Sequence, residues 1–105
     1  MRKLYIVKTN QQFDDIIKTG KCLKNKYFVI YNKDNNLKYD RFGISVTKKL
    51  GNAVFRNKYK RKIRSIIDNY KKDYNISKDY IIILRRGAIK LTFKELREEL
   101  LKLLR

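Results

Sequence analysis

The chain has 105 residues, enough for one domain with one core, and its 43% hydrophobic content can supply that core. Against 28 Lys and Arg stand 10 Asp and Glu, a net charge of +18, which an ordinary domain does not carry without a polyanionic partner. There is no histidine, the commonest general base and metal ligand; the single Cys22 excludes an internal disulfide; and no run approaches the roughly 20 apolar residues of a spanning helix.

The apolar part of Met1-Arg2-Lys3-Leu4-Tyr5-Ile6-Val7-Lys8 is too short for a signal peptide, and with Cys22 alone a reducing cytoplasm is expected. Thr9 with Gln12 three residues on fits a capping box. Phe13, Ile16 and Ile17 then recur at helical spacing, and Gly20 terminates a short helix over about 10–19. Tyr27-Phe28-Val29-Ile30-Tyr31 is aromatic and β-branched and predicts a strand over 26–31. Asn32-Lys33-Asp34-Asn35-Asn36 is turn chemistry, so this strand and the next are expected to form a hairpin. The next, Arg41 to Lys48, alternates: Phe42, Ile44 and Val46 make a core face, Arg41, Gly43, Ser45 and Thr47 a small polar one.

Gly51 interrupts the chain and Asn52 can cap a helix over about 52–71. At about 100° per residue, Phe55, Tyr59, Ile63, Ile66, Ile67 and Tyr70 share one arc. Asn57, Lys60, Arg61 and Arg64 share the opposite arc, with Arg56 at its edge and Lys58 on its flank. No Asp or Glu occurs between Asp40 and Asp68, whereas a solvated helix face normally mixes signs. Lys71-Lys72-Asp73-Tyr74-Asn75 ends this helix. Asp79-Tyr80-Ile81-Ile82-Ile83-Leu84 reads as a strand buried on both faces, closed by Arg85-Arg86-Gly87. Thr92-Phe93-Lys94-Glu95 is a second capping box, opening a helix with a Phe93, Leu96, Leu100, Leu103, Leu104 stripe. The order is α-β-β-α-β-α, an α+β fold with helices on a small mixed sheet.

One stretch carries a resemblance. Gly51-Asn52-Ala53-Val54-x-Arg56-Asn57-x-x-Lys60-Arg61-x-x-Arg64 resembles the signature of the bacterial ribonuclease P protein component, the small basic partner of a catalytic RNA. Gly43-Ile44-Ser45-Val46-Thr47-Lys48-Lys49 is similar to the strand and loop before that signature, and the likeness extends loosely over nearly the whole chain. The family's Arg-Asn-Arg triplet reads Arg56-Asn57-Lys58 here. Lysine keeps the charge and loses the planar fork that grips a phosphate through two bonds. The resemblance implies the same order of elements with a left-handed β-α-β crossover, a fold type shared with ribosomal proteins. It also implies a cleft, between the first helix and the sheet, for the single-stranded leader of precursor tRNA.

Two surfaces follow. Lys48, Lys49, Asn52, Arg56, Asn57, Lys58, Lys60, Arg61 and Arg64 supply charge and donors for phosphate and 2′-hydroxyl oxygens, and the resemblance assigns them to the catalytic RNA. Phe13, Ile17, Val29, Tyr31, Ser45 and Thr47 match the positions of the leader cleft, where rings stack on unpaired bases of any sequence. Where many family members have a second aromatic on the first helix, this chain has Ile17. Phe13 and Tyr31 also have a plain reading as core. The ten acids are scattered and Cys22 has no histidine to activate it, so no protein-borne catalytic or metal site is expected. The chemistry then belongs to the RNA with Mg²⁺, as the family implies. The competing assignments are a non-catalytic RNA-binding module such as a ribosomal protein, and a stand-alone nuclease, against which the missing carboxylate cluster counts.

Overall fold

The computed structural model describes residues 7, 10–37, 39–71 and 77–104. Its elements are α1 (Asn10–Thr19), β1 (Lys21–Lys24), β2 (Phe28–Asp34), β3 (Arg41–Ser45), α2 (Ala53–Lys71), β4 (Lys78–Leu84) and α3 (Phe93–Leu104), with 3-10 turns over Lys48–Leu50 and Arg86–Lys90. The expected order stands with one strand added. The four strands form one mixed sheet in the order β1-β2-β4-β3. β1 and β4 pair antiparallel to β2, and β3 runs parallel to β4.

β4 is the strand read as buried on both faces, and it is: Ile81 and Ile82 point to opposite sides and neither is exposed. Ile82 belongs to the larger core, with Phe28, Ile30, Phe42, Tyr80 and Leu84 of the sheet. Tyr59, Ile63, Ile66 and Ile67 of α2 and Leu96, Leu100 and Leu104 of α3 close over it. Phe42 and Tyr80 stack at 5.0 Å between centroids. Ile81 belongs to a smaller core with Val7 and Ile16 of α1, against which Phe13, Tyr31 and Ile83 pack. The helices' apolar arcs are those the 3.6-residue period selects, with one departure: Phe93, assigned to the stripe of α3, is 43% exposed. It is the first residue of its helix, a turn short of where Leu96 enters the core. The cap before it is as expected, since the Thr92 N–H donates to Glu95 Oε1 (2.9 Å) and the Glu95 N–H to Thr92 Oγ1 (3.2 Å). Those contacts, the backbone one first, hold the Glu95 carboxyl below its ordinary value.

The expected hairpin between the second and third strands does not form. β2 turns back instead onto β1, and β3 lies on the far side of β4. Asn32, Lys33 and Asp34 were assigned to the turn, but each pairs in register with β4, opposite Tyr80, Asp79 and Lys78. The chain leaves β2 at Asn35, whose Oδ1 accepts the Leu37 N–H and whose amide donates to Tyr39 O and to Asp79 Oδ1. Asp79 also grips Arg41 through two bonds, Nε at 2.8 Å and Nη2 at 2.6 Å. This bond holds the Arg41 guanidinium above its ordinary value. The buried Asp40 carboxylate accepts the Lys78 N–H at 2.8 Å. These contacts pin β3 alongside β4 in parallel, and β2, with β1 and β4 on its two edges, has no edge left for a hairpin with β3. Local turn chemistry was overridden by the need of an apolar strand for neighbours on both edges.

The other differences are at ends. Asn25 Oδ1 accepts the N–H groups of Tyr27 and Phe28, so β2 starts at Phe28 rather than at residue 26. β3 stops at Ser45, before a 3-10 turn takes Lys48 and Lys49. β1, fully exposed and only four residues long, had no alternation to announce it. The Thr9 cap and the residues 72–75 assigned to ending α2 lie outside the described residues.

Asp79 is largely buried, and its removal strands the Arg41 guanidinium, whose side chain is 21% exposed. Asp79→Ala is expected to destabilise the fold by about 3–5 kcal/mol, the cost of leaving a desolvated partner uncompensated. Urea unfolding in a sulfate-containing buffer measures it. A loss under 1 kcal/mol would show that the pair does not hold β3 to β4.

Candidate nucleic-acid interface

Asn52 caps α2 as the sequence predicts: its Oδ1 accepts the Phe55 N–H at 2.9 Å, and its carbonyl accepts the Arg56 N–H at 3.0 Å. The apolar arc of α2 faces the sheet, which turns the opposite arc outward. Asn57, Lys58, Arg61 and Arg64 are exposed, while Arg56 and Lys60 are half-buried at its edges. Lys48 and Lys49, both exposed, occupy the turn just before the helix and extend the patch. Arg86, which sequence reasoning assigned only to closing a strand, joins them by donating to the Lys49 carbonyl at 3.4 Å. The Arg85-Arg86 doublet was the available signal. Lys62 is turned away, its Nζ 4.8 Å from the centroid of the Tyr59 ring.

Three carboxylates are engaged elsewhere. Asp15 holds Lys33 at 2.7 Å, Asp79 holds Arg41, and Glu99 holds Lys102 at 3.2 Å. Among the described residues, Lys48, Lys49, Arg56, Lys58, Lys60, Arg61 and Arg64 form no ion pair. A stretch of like charge without internal counterions is the electrostatic footprint of a phosphate-binding surface.

Beside this patch lies an open groove of about 490 Å³, lined by Phe13, Asp14, Ile17, Ile44, Ser45, Val46 and Lys60. Three of the six predicted cleft residues, Phe13, Ile17 and Ser45, meet there. Phe13 is half-buried; it packs against the small core and also lines the groove. Its ring lies directly on the backbone of Gly43, where an added Cβ would stand 2.5 Å from Phe13 Cζ. A larger residue at 43 would push the ring off the sheet. Ile17 is 37% exposed at the groove's rim.

Val29 and Tyr31 share the face of the sheet that α1 crosses, though they lie beyond the groove's immediate wall. Register places Val29 beside Ile83 and Ile83 beside Ser45, a half-buried row that runs from the groove across the sheet. Tyr31 is one row further, opposite Ile81 and packed against the small core. Thr47 is exposed, past the end of β3 and next to Lys48. The sequence missed Ile83 as part of this row, because a continuous apolar strand does not reveal which face is partly open. Lys60 was placed on the basic face alone, and the structure shows it lining the groove as well.

The arrangement can hold a chain of phosphates along α2 and unstacked bases beside it. Among the described residues no group of three or more His, Cys, Asp or Glu converges in a way that could hold a metal ion. Asp14 lines the groove while Asp15 turns away to Lys33, so the two adjacent carboxylates do not act together.

Comparison with known proteins identifies the arrangement. A family model described as Ribonuclease P matches residues 1–105. The ribonuclease P protein component of Mycoplasma mycoides is 45% identical over 106 residues, covering 100% of this chain and 97% of the relative. That of Geobacillus is 42% identical and is covered to 91%. Among solved structures, the Staphylococcus aureus RNase P protein superposes with a TM-score of 0.88 at 40% identity, over 95% of this chain and 92% of that one. The Thermotoga maritima RNase P protein does so with 0.87 at 36%, over 93% of each. With its whole length matched by the family model and by relatives at 42–45% identity, the chain belongs to the ribonuclease P protein family.

Proposed function

We propose that this chain works in the ribonuclease P ribonucleoprotein by a division of surfaces. The exposed arc of α2, with Lys48, Lys49 and Asn52 before it, holds the catalytic RNA. The groove beside α1 receives the single-stranded 5′ leader of precursor tRNA, and so broadens and strengthens substrate binding. Hydrolysis of the phosphodiester belongs to the RNA subunit, which supplies the sites for Mg²⁺. The assembly is assigned to the reducing cytoplasm, where the single exposed Cys22 stays a thiol. The observation that carries the reading is the position of Lys60, on the unpaired basic face and in the wall of the groove at once. An RNA held on α2 therefore lies against any strand held in the groove.

The test is reconstitution with a bacterial ribonuclease P RNA at low Mg²⁺, where the chain is expected to restore cleavage of precursor tRNA. Rigorously RNA-free protein is expected to cleave nothing; metal-dependent hydrolysis by it would overturn the assignment of chemistry to RNA.

Self-repulsion of the uninterrupted basic face lowers stability in dilute buffer, and an anion that binds the folded state offsets it by mass action. Sulfate, phosphate or RNA is expected to raise the melting temperature well beyond chloride at equal ionic strength. Equal shifts would leave only general screening.

The two surfaces separate by mutation. Arg61→Ala or Arg64→Ala is expected to weaken binding of the catalytic RNA and to make its salt dependence shallower by about one phosphate contact each. Tyr31→Ala is expected to weaken precursor-tRNA binding by the assembled complex, by about 1–3 kcal/mol, through loss of a stacking surface. Mature tRNA, which lacks a leader, is expected to bind as before. Equal losses for precursor and mature tRNA would return Tyr31 to a purely structural role in the small core.

A further inference from the structure

At the other end of the sheet is a smaller cavity of about 180 Å³, whose walls include Gly20, Lys21, Asn32, Lys33, Asp34 and Lys78. Lys78 precedes Ile83, the neighbour of Ser45 in the groove row, by five residues along β4. At about 3.3 Å per residue the two places are roughly 17 Å apart. This cavity is therefore separate from the groove.

Asn32 is the residue that needs explaining. It follows Phe28 and Ile30 on the inward face of β2, a position where the strand otherwise carries large apolar groups, and it is only 7% exposed. Asparagine is disfavoured in strands, and a buried amide without a partner costs free energy. Its side chain makes no hydrogen bond to any described residue. Nor is it sealed off, because no buried side-chain polar atom among the described residues lacks both a partner and an opening. Asn32 lines the cavity, with its side-chain amide neither paired nor sealed off.

The other groups around it fit one kind of ligand. Register sets Lys21 beside Asn32, and Lys78 beside Asp34. Neither lysine forms an ion pair among the described residues, so both ammonium groups are available to a phosphate. Lys33 is neutralised by Asp15. Asp34 is an acceptor that a bare phosphate cannot use and that a ribose 2′-hydroxyl can. The walls are fixed before any ligand arrives. The Lys78 N–H is tied to buried Asp40, and at Gly20 an added Cβ would stand 2.5 Å from the Ile16 carbonyl and 2.6 Å from that of Asn32. The volume is below the roughly 300–1,000 Å³ of a small-molecule or cofactor site. It suits one phosphate with its sugar.

We propose that Lys21, Lys78, Asn32 and Asp34 form a second RNA contact, one that takes a single ribonucleotide unit of an RNA chain: the lysines hold the phosphate, Asn32 hydrogen-bonds it or the sugar, and Asp34 accepts the 2′-hydroxyl. The proposal rests on the reading that the partner is RNA, and it adds a contact point on the end of the sheet away from the groove.

The full chain, isotopically labelled and in chloride buffer, is titrated with a short oligouridylate, its deoxy counterpart and inorganic phosphate, and followed by NMR. The Asn32 side-chain amide and the backbone amides of Gly20, Lys21 and Lys78 are expected to shift saturably with the oligouridylate, at lower concentration than with either other probe. In the double variant Lys21→Ala, Lys78→Ala those shifts are expected to be lost at the same concentrations, while the amides of Arg61 and Arg64 respond as before; their response also shows that the variant is folded. Lys94→Ala, which removes a charge from α3, is expected to leave the Asn32 response intact. An Asn32 amide that stays silent while Arg61 and Arg64 respond would overturn the second contact alone. Silence at Arg61 and Arg64 would count against the reading of the basic helix. Equal affinity for the deoxy strand would overturn the ribose contact, and equal or tighter binding of inorganic phosphate would overturn the assignment to RNA.

Discussion

The structure depends on one demand: β4 is apolar along both of its faces, so it must have a strand on each edge and a layer on each side. That demand places β2 and β3 on its two edges and splits the core in two, α2 and α3 over Ile82 and α1 over Ile81. It also sets where RNA can be held. β3 pairs parallel to β4, so the chain must return the length of the sheet between them, and α2 is that return. α2 consequently begins at the end of the sheet where β3 stops, with Lys48, Lys49 and Asn52 at Ser45's end of the strand. The nearness of the basic helix to the groove is thus a consequence of strand order and needs no contact between α1 and α2.

Charge is sorted by the same frame. Asp79 and Asp40 are buried at the start of β4, where one binds Arg41 and the other the backbone of Lys78. Asp15 is tied to Lys33, Glu95 to its helix cap and Glu99 to Lys102. Each of these five acids answers a local need of the fold, and none of them neutralises the exposed arc of α2. A carboxylate moved to the arc of Arg61 and Arg64 would add an i,i+4 pair worth about 0.2–0.5 kcal/mol. It would also cancel a phosphate contact whose value rises with each counterion released. For a protein that functions bound to RNA, the second effect outweighs the first, and the unmixed face is the result.

How much of this could be read from residues alone varied with the range of the interaction. The 3.6-residue arcs of α2 and, past Phe93, of α3, the Thr92–Glu95 cap, the Asn52 cap and the burial of β4 on both faces, Ile83 apart, are short-range or compositional, and the structure has them as read. Strand neighbours are not short-range. Asn32-Lys33-Asp34 has the composition of a turn and sits in a sheet because β4, more than forty residues on, supplies partners for all three backbones. β1 had no signal at all, since Lys-Cys-Leu-Lys is an exposed edge whose formation is decided by β2. The basic arc was legible because it lies on one helix. The groove was legible only through family likeness, and Lys60's place in its wall and Ile83's place in the row beside it were not, since both depend on how α1 crosses the sheet.

That crossing is controlled by a very small feature. Phe13 can pack so close to β3 only because position 43 has no side chain, and the ring also lines the groove that Lys60 lines. The Lys60 charge and the apolar surface of Phe13 therefore share one groove whose shape is set by the packing of α1 on β3. A single-stranded RNA has the same alternation, a charged backbone and a hydrophobic base within one nucleotide, whatever its sequence. A groove with a cation along one wall and a ring and an aliphatic rim along the other selects for that alternation and not for a particular base. If the groove takes the leader as proposed, specificity for the cleavage position comes from what α2 holds, because a ring and a cation offer a single strand no code for its bases.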